Sequence, residues 1–181
     1  MIRDTRESSD RRTAGGAPGA ADVVINDACA SGDIDVARRL FEAYAASLDV
    51  DLCFQNFAQE LAALPGDYAP PRGILLLAEQ RGEAIGCVGL RPLPDRARPS
   101  RIGEVKRLYI VPRARGARTG RALVQALLER APALGYQELK LDTLATMTSA
   151  RALYASLGFR ECAPYYANPL PGTLYMSLAL R

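Results

Sequence analysis

Two side chains in this sequence have the type and setting expected of groups that move protons, Glu104 and Tyr154. Glu104 lies in a strand-like run, and Tyr154 lies on the apolar face of a helix-like segment. The chain has no histidine, so proton transfer falls to carboxyl, phenol, thiol or amine groups, or to water. The lack of histidine also excludes Ser-His-Asp and Cys-His catalysis and a His-ligated zinc, and we expect no metal site.

These two groups flank a loop rich in arginine and glycine that joins a strand to a helix. The pattern predicts a strand from Val105 to Val111, closed by Pro112, and an amphipathic helix that begins near Thr119. The first-turn N–H groups of a helix are unpaired and its dipole adds positive potential, so a helix start favours an anion. We therefore expect a phosphate or diphosphate group to bind at this loop. Four arginines surround it, namely Arg113, Arg115, Arg118 and Arg121.

The loop differs from the two common nucleotide-binding loops, because neither G-x-x-x-x-G-K-[ST] nor G-x-G-x-x-G follows the strand. It resembles instead the [Q/R]-x-x-G-x-[G/A] acetyl-CoA loop of the GNAT superfamily of N-acetyltransferases. Arg115 and Gly120 match that pattern, whereas Arg118 stands where its first glycine is expected. The run Leu-Tyr-Ala-Ser-Leu-Gly-Phe at 153–159 is similar to the L-Y-x-x-x-G-F that ends the fourth helix in that superfamily.

The resemblance covers roughly Val23 to Leu180 and implies an α+β fold with α/β/α layers. We expect a GNAT-like mixed sheet of about six to seven strands with four helices, in the order β-α-α-β-β-β-α-β-α-β-β. The alternation of apolar runs and turn residues along the chain predicts the same order. Residues 1–20 are polar and are predicted to form a flexible tail. Residues 21–181 are predicted to form a single acetyltransferase-like domain.

The resemblance also implies that acetyl-CoA is the co-substrate and indicates which residues hold it. In that superfamily the pantetheine arm pairs with the fourth strand where this strand diverges from the fifth. By register, the pantetheine arm would pair with Leu108, Tyr109 and Ile110. The alternative is an ordinary central strand whose N–H groups are all paired. The diphosphate would contact the loop at Arg115, Gly116, Ala117, Arg118, Thr119, Gly120 and Arg121.

For Glu104 the resemblance implies a catalytic role, since some superfamily members place a general-base glutamate six residues before the position of Ile110. Two alternatives stay open, a solvated ion pair with Lys106 or Arg107 and an ordered water chain that acts as the base. Because side chains alternate along a strand, we expect every second residue from Glu104 to Ile110 to share one face.

For Tyr154 the resemblance implies protonation of the coenzyme A thiolate, and the alternative is an aromatic residue packed in the core. Residues 49–53 and the proline-rich loop before the last strand border the acceptor site in the superfamily. Three residues of that loop, Tyr165, Tyr166 and Asn168, are therefore candidates for contacts with the acceptor.

We predict an N-acetyltransferase that moves an acetyl group from acetyl-CoA directly to a primary amine of a small molecule or peptide. The first alternative is a non-catalytic acyl-CoA-binding regulatory module on the same fold. Arg118 keeps it open, and so does Met147, which stands where many relatives have asparagine. The second alternative, nucleic-acid binding, is disfavoured by a net charge of only +3 and by sparse aromatic residues.

The remaining expectations concern partners and location. No apolar run approaches the ~20 residues of a membrane span, so we expect no membrane partner. Dimers are common in the superfamily, so a homodimer stays open. The cysteines Cys29, Cys53, Cys87 and Cys162 lack C-x-x-C pairing, which is typical of buried thiols in the reducing cytoplasm.

Overall fold

A computed structural model describes residues 23–48, 56–93 and 101–180. The predicted tail at residues 1–20 and the loop at residues 49–53 lie outside the described residues. The described elements follow the order β-α-α-β-β-β-α-β-α-β-β, which confirms the predicted fold class. The strands are β1 (Val24–Asp27), β2 (Ile74–Gln80), β3 (Glu83–Pro92), β4 (Ile102–Ile110), β5 (Glu138–Leu144), β6 (Arg160–Glu161) and β7 (Thr173–Ala179). The helices are α1 (Ser31–Ala46), α2 (Phe57–Ala63), α3 (Thr119–Arg130) and α4 (Thr148–Ser156).

The strands form one mixed sheet in the order β1-β2-β3-β4-β5-β7-β6. β4 and β5 are parallel, as expected for two strands joined by a helix, and the other neighbouring pairs are antiparallel. β2 and β3 form a hairpin, as two apolar runs separated by the residues Gln80-Arg81-Gly82-Glu83 indicate. Its turn residues Arg81 and Gly82 both have positive φ, 54° and 77°, which suits the right-handed twist of a tight hairpin.

Helices cover both faces of the sheet and produce the predicted α/β/α layers. On one face, Ala37 and Phe41 of α1 pack with Leu77 of β2. On the other face, α3 and α4 pack against the sheet through residues such as Leu123 and Leu127, both fully buried. Each such side chain stabilises the fold by about 1.5–3 kcal/mol. Within the described residues, no helix combines the length and apolarity needed to cross a bilayer.

The sheet opens between its two central strands. β4 and β5 pair over three residue pairs, from Ile102 with Glu138 to Glu104 with Lys140. β4 then continues to Ile110 and β5 to Leu144 with no further pairing between them in the described residues. The other edge of β4 stays paired with β3 as far as Ile110. The gap, which we call the β4–β5 cleft, is the divergence that the resemblance implies.

A β-bulge in β4 changes which side chains share a face. The register with β3 shifts at this point, and Arg107 has a left-handed φ of 59°. Arg107 thereby turns toward α1 and α2, the side on which Glu104 and Lys106 lie. Leu108 and Ile110 pack instead with the α3–α4 core. The prediction that alternate residues from Glu104 to Ile110 share one face is therefore wrong beyond Lys106, because a bulge inserts one residue into the alternation.

Candidate active site

The predicted anion loop joins β4 to α3, and α3 begins at Thr119 as the sequence indicates. The residue before it, Arg118, adopts the left-handed conformation with a φ of 61°. The position at which the loop pattern has a glycine is thus one that requires positive φ. A non-glycine residue in this conformation costs about 1–2 kcal/mol, so Arg118 is a strained substitute for that glycine.

The start of α3 presents hydrogen-bond donors that the described chain leaves unused. The first helical bond runs from Ala122 N to Arg118 O, at 3.1 Å. The N–H groups of residues 118–121 donate to no acceptor within the described residues. The Thr119 hydroxyl also lacks a partner there, although this residue is only 2% exposed. Buried polar groups without partners are uncommon, so this cluster of donors indicates a site for an anion.

Two arginine side chains are fixed beside these donors. Arg115 Nε donates to the Ile110 carbonyl oxygen at 3.1 Å, and Arg121 Nη2 donates to Ser156 Oγ at 2.6 Å. The Arg118 side chain is exposed and forms no ion pair or hydrogen bond within the described part of the chain. The site therefore combines two anchored guanidinium groups with one that is available to a ligand.

The other loop residues bring backbone close to the surface. Gly116 and Ala117 are exposed, and Gly116 has a φ of 85°. A Cβ atom on Gly120 would lie 3.4 Å from Leu153 Cδ2 and 3.8 Å from Ile110 Cγ1, so α3 begins close against β4 and α4. The loop is consequently a strip of accessible main chain, which is what close approach to a diphosphate requires.

Leu108, Tyr109 and Ile110 lie beyond the point at which β4 separates from β5. Leu108 lines the β4–β5 cleft, while the Tyr109 ring packs against Tyr44 with centroids 6.3 Å apart. No strand pairs with the β5 edge of β4 at these residues in the described chain. The predicted pairing of this edge with an extended ligand has the space it needs, and it stays a prediction.

The cleft contains a cavity of about 40 Å³ between β4, β5 and α4. Tyr154 lines it, and the Tyr154 ring packs on Phe159 with centroids 5.6 Å apart. Its hydroxyl has no hydrogen-bond partner among the described residues, and burial raises the pKa of Tyr154 above its usual value. The group is thus a protonated phenol that faces the cleft. The other lining residues are Tyr44, Val105, Lys106, Arg107, Leu108, Asp142, Thr143, Met147 and Ala150.

Glu104 lies outside this lining and is 3% exposed. Arg91 donates to its Oε2 atom from Nε at 2.9 Å and from Nη2 at 2.8 Å. Tyr165 donates its hydroxyl to Oε1 at 3.1 Å, and Lys106 Nζ lies 3.7 Å from the same atom. The alternative of a solvated ion pair is therefore wrong, because the carboxylate is buried and is paired most closely with Arg91. Its role as a base stays a prediction.

Lys106 connects Glu104 to a second carboxylate, Asp142 of β5, at a distance of 2.8 Å from Oδ1. Burial alone would raise the pKa of Asp142, but the charge of Lys106 and hydrogen bonds from Lys106 and Tyr166 outweigh it and lower the pKa. The sequence analysis did not single out Asp142, which lies within β5. The available signal was an acidic residue inside an alternating apolar strand.

The loop before β7 is held against these charges by its tyrosines. Tyr165 reaches Glu104, and Tyr166 hydrogen-bonds to Asp142. Asn168 donates to the Tyr166 hydroxyl at 2.9 Å and accepts from the amide of Leu170 at 2.9 Å. The structure thus brings Tyr165 and Tyr166 to the predicted site, and Asn168 orients Tyr166. Contact of these residues with an acceptor stays a prediction.

A second buried ion pair, Arg107 with Glu60 of α2, was also missed. Arg107 Nη2 lies 2.6 Å from Glu60 Oε2, and Arg107 Nε donates to Oε1 at 2.9 Å. The Tyr68 hydroxyl donates to Glu60 Oε1 at 2.8 Å, and the rings of Tyr44 and Phe57 lie 5.8 Å and 4.9 Å from the guanidinium. Although burial opposes it, the hydrogen bonds and charge of Arg107 lower the pKa of Glu60. Only the tertiary fold brings these residues together.

Beside α2 lies a larger cavity of about 360 Å³, which we call the α2 cavity. Glu60 and Arg91 line it, and their ion-pair partners are Arg107 and Glu104. Glu60 lines the α2 cavity and its partner Arg107 lines the β4–β5 cleft, so this ion pair lies between the two cavities. The rest of the lining consists of Asn56, Gln59, Ala63, Pro65, Gly66, Asp67 and Tyr68.

Comparison with known proteins gives one consistent family. The sequence model described as Acetyltransferase (GNAT) family matches residues 37–159. An uncharacterized N-acetyltransferase of Schizosaccharomyces pombe is 40% identical, over 82% of this chain and 89% of that relative. A putative acyl-CoA N-acyltransferase structure from Klebsiella pneumoniae is 29% identical with a TM-score of 0.64, covering 88% of this chain and 98% of that one.

A third similar protein is of interest for its ligand. A putative acetyltransferase from Salmonella typhimurium, solved with its cofactor acetyl-CoA, has a TM-score of 0.66 and covers 88% of this chain and 94% of that one. At 18% identity, this similarity concerns the fold.

Proposed function

Since the chain belongs to the GNAT family of acetyltransferases, we propose that it transfers an acetyl group from acetyl-CoA directly to a primary amine. The observation that carries the proposal is the set of N–H groups at residues 118–121 that are left unpaired beside an open cleft. One ligand that carries both a diphosphate and an acyl arm would occupy both features of the site. Its diphosphate would bind at these donors, and its acyl arm would lie along β4.

The residues of the loop fit such a ligand on chemical grounds. The unpaired main-chain N–H groups and the Thr119 hydroxyl would donate hydrogen bonds to phosphate oxygens. Arg115, Arg118 and Arg121 would add charge, and a guanidinium binds phosphate oxygens in a two-pronged geometry. When bound, acetyl-CoA supplies an acetyl thioester, an acyl group that is already activated for transfer.

Tyr154 is proposed as the acid that protonates the departing sulfur. The residue lines the cleft, its hydroxyl has no partner among the described residues, and burial raises its pKa and so keeps it protonated. The base would be a carboxylate beside the cleft, and Glu104 is the one that the sequence predicts. Its buried carboxylate belongs to the charged cluster that also contains Lys106 and Asp142. A positioned acid or base typically contributes 10²–10⁴-fold to a rate.

We propose that the acceptor is a small molecule or peptide amine that approaches the β4–β5 cleft beside the loop that precedes β7. Tyr165 of this loop donates to Glu104, and Tyr166 lies beside Asp142, which lines the cleft. The regulatory-module alternative rests on Arg118, which takes the place of the expected glycine in a left-handed conformation, and on Met147, which stands where many relatives have asparagine. Cytoplasmic location and homodimer formation stay predictions.

Two measurements on the purified chain test the proposal. Acetyl-CoA should raise the melting temperature, because saturation at ~100 times the dissociation constant adds about 2.7 kcal/mol of stability. Thiol release should then exceed the rate without amine for at least one of spermidine, lysine, an alanine-terminated peptide and kanamycin. Absence of stabilisation contradicts acetyl-CoA binding. Stabilisation without thiol release from any of these amines favours the regulatory module.

A further inference from the structure

Glu104 and Asp142, the two acidic side chains of the charged cluster, differ in their access to the cleft. Glu104 is enclosed by Arg91, Tyr165 and Lys106 and does not line the cleft. Asp142 does line it, together with Tyr154, and its side chain is 13% exposed. A group that exchanges a proton with a reactant must approach it within hydrogen-bonding distance, directly or through one water. Geometry therefore favours Asp142 over Glu104 for direct contact.

We propose that Asp142 is the catalytic carboxylate that takes the proton from the acceptor nitrogen, with Lys106 and Glu104 as positioning residues. This inference rests on the proposed acetyl transfer. Asp142 first takes one proton from the bound ammonium group and passes it to solvent, which leaves a free amine with a lone pair. As the nitrogen–carbon bond then forms, Asp142 accepts the second proton that the nitrogen loses. Tyr154 donates the proton that sulfur takes up with the electron pair of the broken carbon–sulfur bond. Tyr154 recovers its proton from Asp142 through solvent, so the net products are an amide, a free thiol and one proton released to solvent.

The surroundings of Asp142 hold its carboxylate in one place. Lys106 Nζ donates to Oδ1 at 2.8 Å, and Tyr166 donates a further hydrogen bond. Asn168 fixes Tyr166 in turn through a bond of 2.9 Å to its hydroxyl. A carboxylate has about four acceptor positions, so these bonds leave capacity for the ammonium group of an acceptor. Glu104, whose Oε1 atom lies 3.7 Å from Lys106 Nζ, helps to hold that lysine.

The charge state of this site is expected to be constant near neutral pH. The ion pair and hydrogen bonds lower the pKa of Asp142, and burial raises the pKa values of the tyrosines around it. A wild-type enzyme that binds the ammonium form of the acceptor should therefore have a flat kcat/KM between about pH 6 and 8. The ionisable groups that face Asp142 are Lys106 and Arg107 of β4, Tyr44 of α1, Tyr154 of α4, Tyr175 of β7, and Tyr165 and Tyr166 of the loop.

The test compares Asp142→Asn with Glu104→Gln, using the best amine of the panel named above. We expect Asp142→Asn to lower kcat/KM about 10²-fold at pH 7. Its kcat/KM should rise about tenfold per pH unit, because only the free base can then react. Isothermal titration should give an acetyl-CoA affinity within about threefold of wild type, since Asp142 lies outside the loop. Asp142→Glu should recover part of the rate, and Asp142→Ser replaces Asp142→Asn if that variant does not fold.

Asp27→Asn, an exposed aspartate paired with Arg130, is the matched control and should keep wild-type rates. Glu104→Gln should lose less activity than Asp142→Asn and keep the flat pH profile. The inference is overturned if Asp142→Asn retains a third of the wild-type rate, or if Glu104→Gln alone changes the pH profile. Equal losses with flat profiles in both variants also overturn it, because they indicate a shared structural effect. A wild-type chain that acetylates no amine contradicts the proposed function itself.

Discussion

Replacing Tyr154 with phenylalanine should separate catalysis from stability. The substitution removes one oxygen and keeps the ring that packs on Phe159 at 5.6 Å. The Tyr154 hydroxyl has no hydrogen-bond partner among the described residues, so its loss breaks no bond that stabilises the fold. We therefore expect the free energy of unfolding to change by less than about 0.5 kcal/mol, compared with about 1 kcal/mol for a typical bonded hydroxyl.

The rate should respond very differently. If the hydroxyl protonates the leaving sulfur, kcat should fall about 10²-fold, which corresponds to about 2.7 kcal/mol of transition-state stabilisation. Thiol release from acetyl-CoA with the best amine measures the rate, and thermal unfolding measures the stability. A variant with unchanged kcat refutes the acid role. A fall in melting temperature beyond about 4 °C refutes the claim that the hydroxyl is unbonded.

Tyr136→Phe is the matched control with the opposite expectation. The Tyr136 hydroxyl donates to the Arg72 carbonyl oxygen at 2.6 Å, and neither residue lines the cleft. Its removal should cost about 1 kcal/mol and lower the melting temperature by about 2–4 °C, because a bonded carbonyl group loses its partner. The kcat should stay at the wild-type value. A large loss of activity in Tyr136→Phe would show that a loss of stability alone can lower kcat, and the fall in Tyr154→Phe would then not indicate an acid role.

Two further predictions concern strain and buried charge. Arg118→Gly should raise the free energy of unfolding by about 0.5–1 kcal/mol in denaturant, because relief of the strained left-handed φ exceeds the entropy cost of glycine. A lower free energy of unfolding would contradict the claim that Arg118 is strained. Glu60→Gln should cost about 3–5 kcal/mol at pH 7, because it leaves Arg107 buried without its carboxylate, whereas a loss below 1 kcal/mol would contradict it. The pKa of Glu60 in the folded chain is lowered from 4.5, so the ion pair contributes its full stability above about pH 4.5. This stability is lost as the pH falls through the folded pKa. Acid should therefore destabilise the wild-type chain more than Glu60→Gln.

The parts of the fold that the sequence predicts are those set by local pattern. The apolar stripe of α3, the loop before it and the Arg81–Gly82 turn each follow from spacing and turn chemistry within a few residues. The position of Arg118 in the loop pattern even predicts where positive φ is required, because a glycine is expected there.

What the sequence could not supply depends on tertiary contacts. The bulge at Arg107 has no glycine to mark it, and it is stabilised by Glu60, which is 47 residues away. Asp142 becomes significant only because Lys106 and Tyr166 converge on it from two other elements. The α2 cavity likewise requires α2 to lie against Arg91 of β3. Local sequence pattern therefore indicates the predicted anion loop more readily than the charged cluster beside it.

The account depends most directly on the main-chain donors at the start of α3, and amide NMR can test them. Acetyl-CoA titrated into the ¹⁵N-labelled chain should shift the resonances of residues 118–121 more than those of most other residues. S-acetylpantetheine, which lacks the diphosphate, should bind about 100-fold more weakly, as expected for the loss of two charge-assisted hydrogen bonds. Tight binding of acetyl-CoA without movement of these resonances, or equal affinity for both ligands, would contradict the account.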